Sequence, residues 1–125
     1  MEAVEGIGGV FFVARDAGAL AQWYEDHLGI VGPGESYGDP VWEQTAGPTV
    51  IAPFGQEHAE SPHLGPTGWG INFRVRDLDV MVEQLRDHGI EVEVDPERYP
   101  NGLFAGLHDP EGNPIQLWQP MEPES

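Results

Sequence analysis

Apolar positions along this chain alternate between two periods, and the switches fall at matching places in its two halves. Residues 9–15, "GVFFVAR", and 70–76, "GINFRVR", read as strands, each leading into an Asp. Beyond Asp16, the residues Ala17, Leu20, Ala21, Tyr24 and Leu28 recur at helical spacing. Beyond Asp77, Leu78, Met81, Val82 and Leu85 do the same. Asp16 and Asp77 are placed as N-caps, where a carboxylate meets free backbone N–H groups. Gly29 and Gly89 are placed as C-terminal caps. His27 and His88 fall in the last helical turns, where an imidazole suits the helix dipole. Short strand-like runs follow each helix: residues 30–37, 41–45 and 49–54, then 91–95, 103–108 and 114–119.

The two halves form an internal repeat. An offset of 61 positions superposes Gly9 on Gly70, Phe12 on Phe73, Arg15-Asp16 on Arg76-Asp77 and His27 on His88. One extra residue, Leu28, precedes the matching Gly-Ile pairs. Two copies of a β-α-β-β-β unit imply duplication about a pseudo-two-fold axis. The expected organisation is one α+β domain with repeats at about 5–54 and 68–120. A Gly- and Pro-rich linker at about 55–67 joins them, and an acidic tail follows at 121–125.

A tandem βαβββ pair resembles the vicinal oxygen chelate superfamily of glyoxalases, bleomycin-resistance proteins and extradiol dioxygenases. The segments carrying the resemblance are "FFVARD", "WYEDHLGI", "INFRVRDLD", "HGIEV" and the closing "HDPEGNPIQLWQP". It implies two modules forming a curved mixed sheet around a cleft, and it implies a homodimer. Enzymes of the superfamily hold a divalent metal in that cleft. The ligand places, carried over one at a time, fall on Gly9, Gly70 and Gln116. Glycine offers no donor, and a neutral amide is a weak ligand for metals that favour imidazole and carboxylate. The expectation is therefore a cleft without a metal or other cofactor. A divalent metal remains the alternative, through His58 or His63 with Glu57 or Glu60 of the linker.

If the old ligand places face inward, strand parity turns Phe11, Val13, Asn72 and Arg74 into the cleft, joined by Gln116 and Trp118. Val10, Phe12, Ile71, Phe73 and Val75 then form core. Trp42 is a candidate wall residue, with Trp69, Phe54 and Tyr99 also near strand ends. Such a surface suits a small molecule, held by aromatic area and a few orienting polar groups. Asn72 and Gln116 can each donate and accept, and Arg74 can hold an anionic group through paired bonds. The opposing role for Arg74 is a salt bridge to one of the many carboxylates.

Charge narrows the partners. Five arginines and no lysine face 22 acids, for a formal net charge of −17. That surface repels nucleic acid and anionic membranes. Dispersed acids without lysine also suggest salt adaptation, although a biased genome would give the same composition. The chain contains no cysteine, no membrane-length apolar run and no signal-like N-terminus, which fits a cytoplasmic protein. No nucleophile–base pair or phosphate loop is present. Two function classes follow. The first is a metal-free binding protein of the bleomycin-resistance type. The second is a small lyase, isomerase or dioxygenase, with a divergent metal or an acid–base site around Glu43 or His108. No catalytic residue is assigned.

Overall fold

The computed structural model describes residues 1–34, 36–66 and 68–121. Helix α1 (Ala17–Leu28) starts where expected, with the Asp16 carboxylate accepting from the Ala19 N–H at 3.1 Å. Helix α2 (Leu78–Asp87) starts in the same way, with Asp77 accepting from Val80 at 3.2 Å. Gly29 (φ 71°) and Gly89 (φ 79°) turn the chain out of the two helices in the left-handed region, where a Cβ would be strained.

The second repeat completes its sheet. Strands β1 (Ile71–Arg74), β2 (Glu93–Val94), β3 (Gly102–His108) and β4 (Pro114–Pro120) lie in the order β1-β4-β3-β2. β1 runs parallel to β4, while β3 is antiparallel to both β4 and β2. One face of this sheet carries Ala105, Leu107, Ile115 and Leu117, all buried. Leu78, Val82 and Leu85 of α2 close over that face, joined by Leu20 and Tyr24 of α1. Leu85 and Leu117 are fully buried, and each such side chain contributes about 1.5–3 kcal/mol relative to exposure.

The first repeat forms its helix but, among the described residues, no paired strand. The strands expected at 9–15, 30–37, 41–45 and 49–54 find no ladder partner among the described residues; position 35 lies outside them. Strand structure requires a neighbour to take its backbone hydrogen bonds, whereas a helix supplies its own. Between the repeats the expected linker contains a short 3-10 turn (Gln56–His58) and a series of tight turns. Of the expected acidic tail, residues 122–125 lie outside the described residues.

The turn between β3 and β4 joins the repeats. Asp109 is 4% exposed, and its carboxylate takes four hydrogen bonds. Two come from the Glu111 and Asn113 backbone N–H groups, one from the Asn113 amide, and one from the Tyr24 hydroxyl of α1 at 2.8 Å. Glu111 reaches in the same direction, accepting from the Arg15 and Asp16 N–H groups at 2.6 and 3.0 Å. The "DPEGN" segment is thus the clasp that seats the first helix on the second repeat.

Candidate functional site

Alternation along the three adjacent strands builds the sheet face turned away from the helices. Register places Asn72 beside Gln116 and Gly106, and Arg74 beside Trp118 and Phe104. The Asn72 amide donates to Gln116 Oε1 at 2.7 Å. An amide at position 116 therefore does something a carboxylate would do less selectively: it accepts from Asn72 and retains an N–H₂ group for another partner. A carboxylate here would be an acceptor only.

Aromatic surface lies two residues along each strand. The Phe104 and Trp118 rings are parallel within 4°, with centroids 6.3 Å apart, and Tyr99 meets Phe104 edge-on at 5.7 Å. Two anchors fix this surface. The Trp118 indole N–H donates to the Asn101 carbonyl at 2.8 Å, and the Tyr99 hydroxyl donates to Asp95 at 2.9 Å. The Asp95 bond, with a lesser one to Glu97, pushes the Tyr99 phenol up to about 12. Arg74 donates to the Thr45 carbonyl at 2.8 Å and lies against Gly47. It makes no ion pair with any carboxylate among the described residues.

The floor of the face is Gly106. A Cβ there would meet nothing nearer than the Ile115 carbonyl at 4.0 Å, so open space stands above it. Phe104 and Gly106 were within reach of the sequence. Carrying the parity of Gln116 and Trp118 across an antiparallel partner identifies both, and the strand itself was expected at 103–108.

Of the seven residues expected in the cleft, Asn72, Arg74, Gln116 and Trp118 come together on this face. Phe11 and Val13 are almost fully exposed, and the Phe11 ring folds back over Gly9. Trp42 lies elsewhere, edge-on to Phe73 at 6.4 Å, where Phe73 packs against the helix-side core. Trp69 also packs on that side, against Phe12 at 5.8 Å. Glu43 and His108 are exposed. His108 borders a crevice of about 300 Å³ with Trp23, Glu91 and Asp109, at the end of the sheet and away from the amide pair. A second hollow of about 260 Å³ lies between Trp69 and the clasp turn, lined by Gly70 and Pro114, each two residues before a member of the amide pair.

The residues at the family's ligand places do not fit a metal. A side chain at Gly70 would run into the His63 carbonyl of the linker, so this position is closed by backbone. Gln116 Oε1 already accepts from Asn72. Among the described residues, no three His, Asp or Glu side chains gather around a common point. The linker histidines stay apart: His58 pairs loosely with Glu57 at 3.7 Å, and the His63 backbone N–H bonds to Ser61.

The model of the glyoxalase/bleomycin resistance protein/dioxygenase superfamily matches residues 6–117. The chain belongs to that superfamily. Comparison with curated proteins gives no match. Among solved structures it is similar to TnmS3, an antibiotic binding protein from Streptomyces sp. CB03234, at 36% identity and TM-score 0.39 over 42% of each chain. A glyoxalase/bleomycin resistance protein from the same organism matches at 36% identity and TM-score 0.37, over 40% of this chain and 43% of that one. A glyoxalase family protein from Bacillus cereus matches at 28% identity and TM-score 0.36, over 60% of this chain and 48% of its own. Each match spans under half of the related chain. No helix among the described residues is long and apolar enough to cross a membrane.

Proposed function

We propose that this chain is a small-molecule-binding member of its superfamily. It would take a flat, aromatic or amide-bearing ligand on the Asn72–Gln116 face without help from a metal. The observation that carries the reading is the amide pair, one row along the sheet from Arg74 and the parallel Phe104 and Trp118 rings and beside the open floor at Gly106. Ring area supplies affinity, and the amides and guanidinium fix orientation.

The test is a screen of planar aromatic compounds against protein stripped with EDTA, read by tryptophan fluorescence and thermal shift. Binding should occur without added metal and be abolished in Gly106→Leu, which fills the floor while keeping the ladder. Arg74→Ala should weaken anionic binders by about 1.5–3 kcal/mol, the range for charged hydrogen bonds. Binding that requires a divalent ion, or that survives Gly106→Leu unchanged, overturns the reading.

The reading includes a homodimer. Val41, Val50, Ile51 and Phe54 of the first repeat are more than half exposed, and apolar area of this kind marks an association surface. Light scattering showing a monomer at all concentrations would remove this part. The cysteine-free composition suits a reducing compartment such as the cytoplasm.

A further inference from the structure

The duplicated histidines meet. His27 closes α1, His88 caps α2, and their ring centroids lie 5.3 Å apart at 61°. They are repeat equivalents, so the pair marks the junction where the two helices converge. Nδ1 of His27 is buried and has no hydrogen-bond partner among the described residues. Buried polar atoms are rarely left so, and an ion is one of the ordinary partners for such an atom.

The spacing has a chemical meaning. Two imidazoles sharing one tetrahedral ion, with metal–nitrogen bonds of about 2.0–2.1 Å, hold their ring centres roughly 5 Å apart. The tilt of the rings keeps them from stacking face to face. Borderline divalent ions such as zinc, nickel and copper favour imidazole nitrogen, and the net charge of −17 raises the local concentration of any cation.

We propose that His27 and His88 form a two-imidazole site for one such ion, bound through Nδ1 of His27 and a ring nitrogen of His88, with water completing the coordination. The site is on the helix side of the sheet, so it is separate from the ligand face and independent of the reading given for that face. With no third protein donor gathered there among the described residues, the ion exchanges readily. Its effect is to pin the C-terminal ends of the two helices together, since metal held only by the folded chain stabilises it by mass action.

The experiment is calorimetric titration of the EDTA-stripped full chain with nickel alone, at high salt to suppress loose binding by surface carboxylates. Wild type should bind one ion, and its Tm should rise with nickel concentration. His88→Gln alters an exposed residue and should weaken binding at least about tenfold, since even changes outside the ligand shell cost that much. The double variant His58→Gln/His63→Gln should bind as wild type does. Absence of saturable binding, an unchanged His88→Gln, or loss of binding in the linker double variant would each overturn the site.

Discussion

The two repeats share a written pattern and differ in what becomes of it. Both begin with Gly, strand-like residues and a capping Asp, and both make the helix that follows. Among the described residues, only the second surrounds its helix with paired strands. Helix caps and helical spacing act within one turn of chain, so both copies obey them. Ladder pairing depends on residues further away, and among the described residues the second copy alone pairs its strands. The duplicated pattern thus gives a capped helix in both copies and, among the described residues, paired strands in the second.

The sharpest way to break the comparison is at the clasp that ties one repeat to the other. Asp109→Ala leaves the Tyr24 hydroxyl and the turn's N–H groups without their acceptor and should cost roughly 2–4 kcal/mol, since stranded buried donors each cost about 1–3. Urea denaturation monitored by tryptophan fluorescence measures it. Tyr24→Phe, which frees a single bond to that carboxylate, should cost about 1 kcal/mol. Equal small losses in both variants would mean that α1 is seated by packing alone.

Matched glycines offer the next comparison. Gly70→Ala drives a Cβ into the His63 carbonyl and should destabilise by about 1–3 kcal/mol, as overpacking does. At Gly9 the same Cβ meets only the rim of the Phe11 ring, at 3.1 Å, and that exposed ring is free to swing aside. Gly9→Ala should therefore change stability by less than about 0.5 kcal/mol, as for ordinary surface changes. Chemical melts of the two variants, side by side, decide this. The same geometry revises an idea that the sequence alone invites: installing His at both glycines and Glu at Gln116 to rebuild a metal site. An imidazole placed at Gly70 would have to displace the linker first.

Acid should separate the repeats more gently. Backbone N–H groups of Asp16 and Arg15 hold the Glu111 carboxyl below its ordinary value of 4.5. A depressed folded value gives stability that is present above the unfolded value and lost as pH falls through the folded one. Melting curves taken downward from about pH 4.5 should therefore show an acid limb that is shallower in Glu111→Gln. An identical limb in both proteins would take Glu111 out of the clasp. The smallest effect expected is a gradual rise of Tm with KCl, as screening relieves repulsion among 22 acids. A flat response would leave the composition without a stabilising role for salt.

How far the sequence reached follows the same division. Helix limits, both N-caps and both left-handed glycines were legible because short-range chemistry sets them. Parity placed Asn72, Arg74, Gln116 and Trp118 on one side of the sheet, since a strand has only two faces. Trp42 escaped that logic because its segment lacks a ladder, so alternation had no sheet to refer to. Gly70 looked like a missing ligand, while the structure gives it a steric task that depends on a carbonyl seven residues earlier in the linker. Asp109 and Glu111 read as ordinary turn residues, because nothing local reveals that their carboxylates serve a helix some 85 to 96 residues away.

That distance bears on how the molecule comes to be made. The Glu111–Arg15 hydrogen bond closes a loop of 96 positions in a sequence of 125. During synthesis the first helix emerges well before its anchor, which is made 96 positions later. Contacts of such high sequence separation slow folding, because the loop must close before any of them stabilises it. The first helix can thus be clasped only after that turn is made, and until then its apolar stripe and the neighbouring strand-forming segments stand open to other chains.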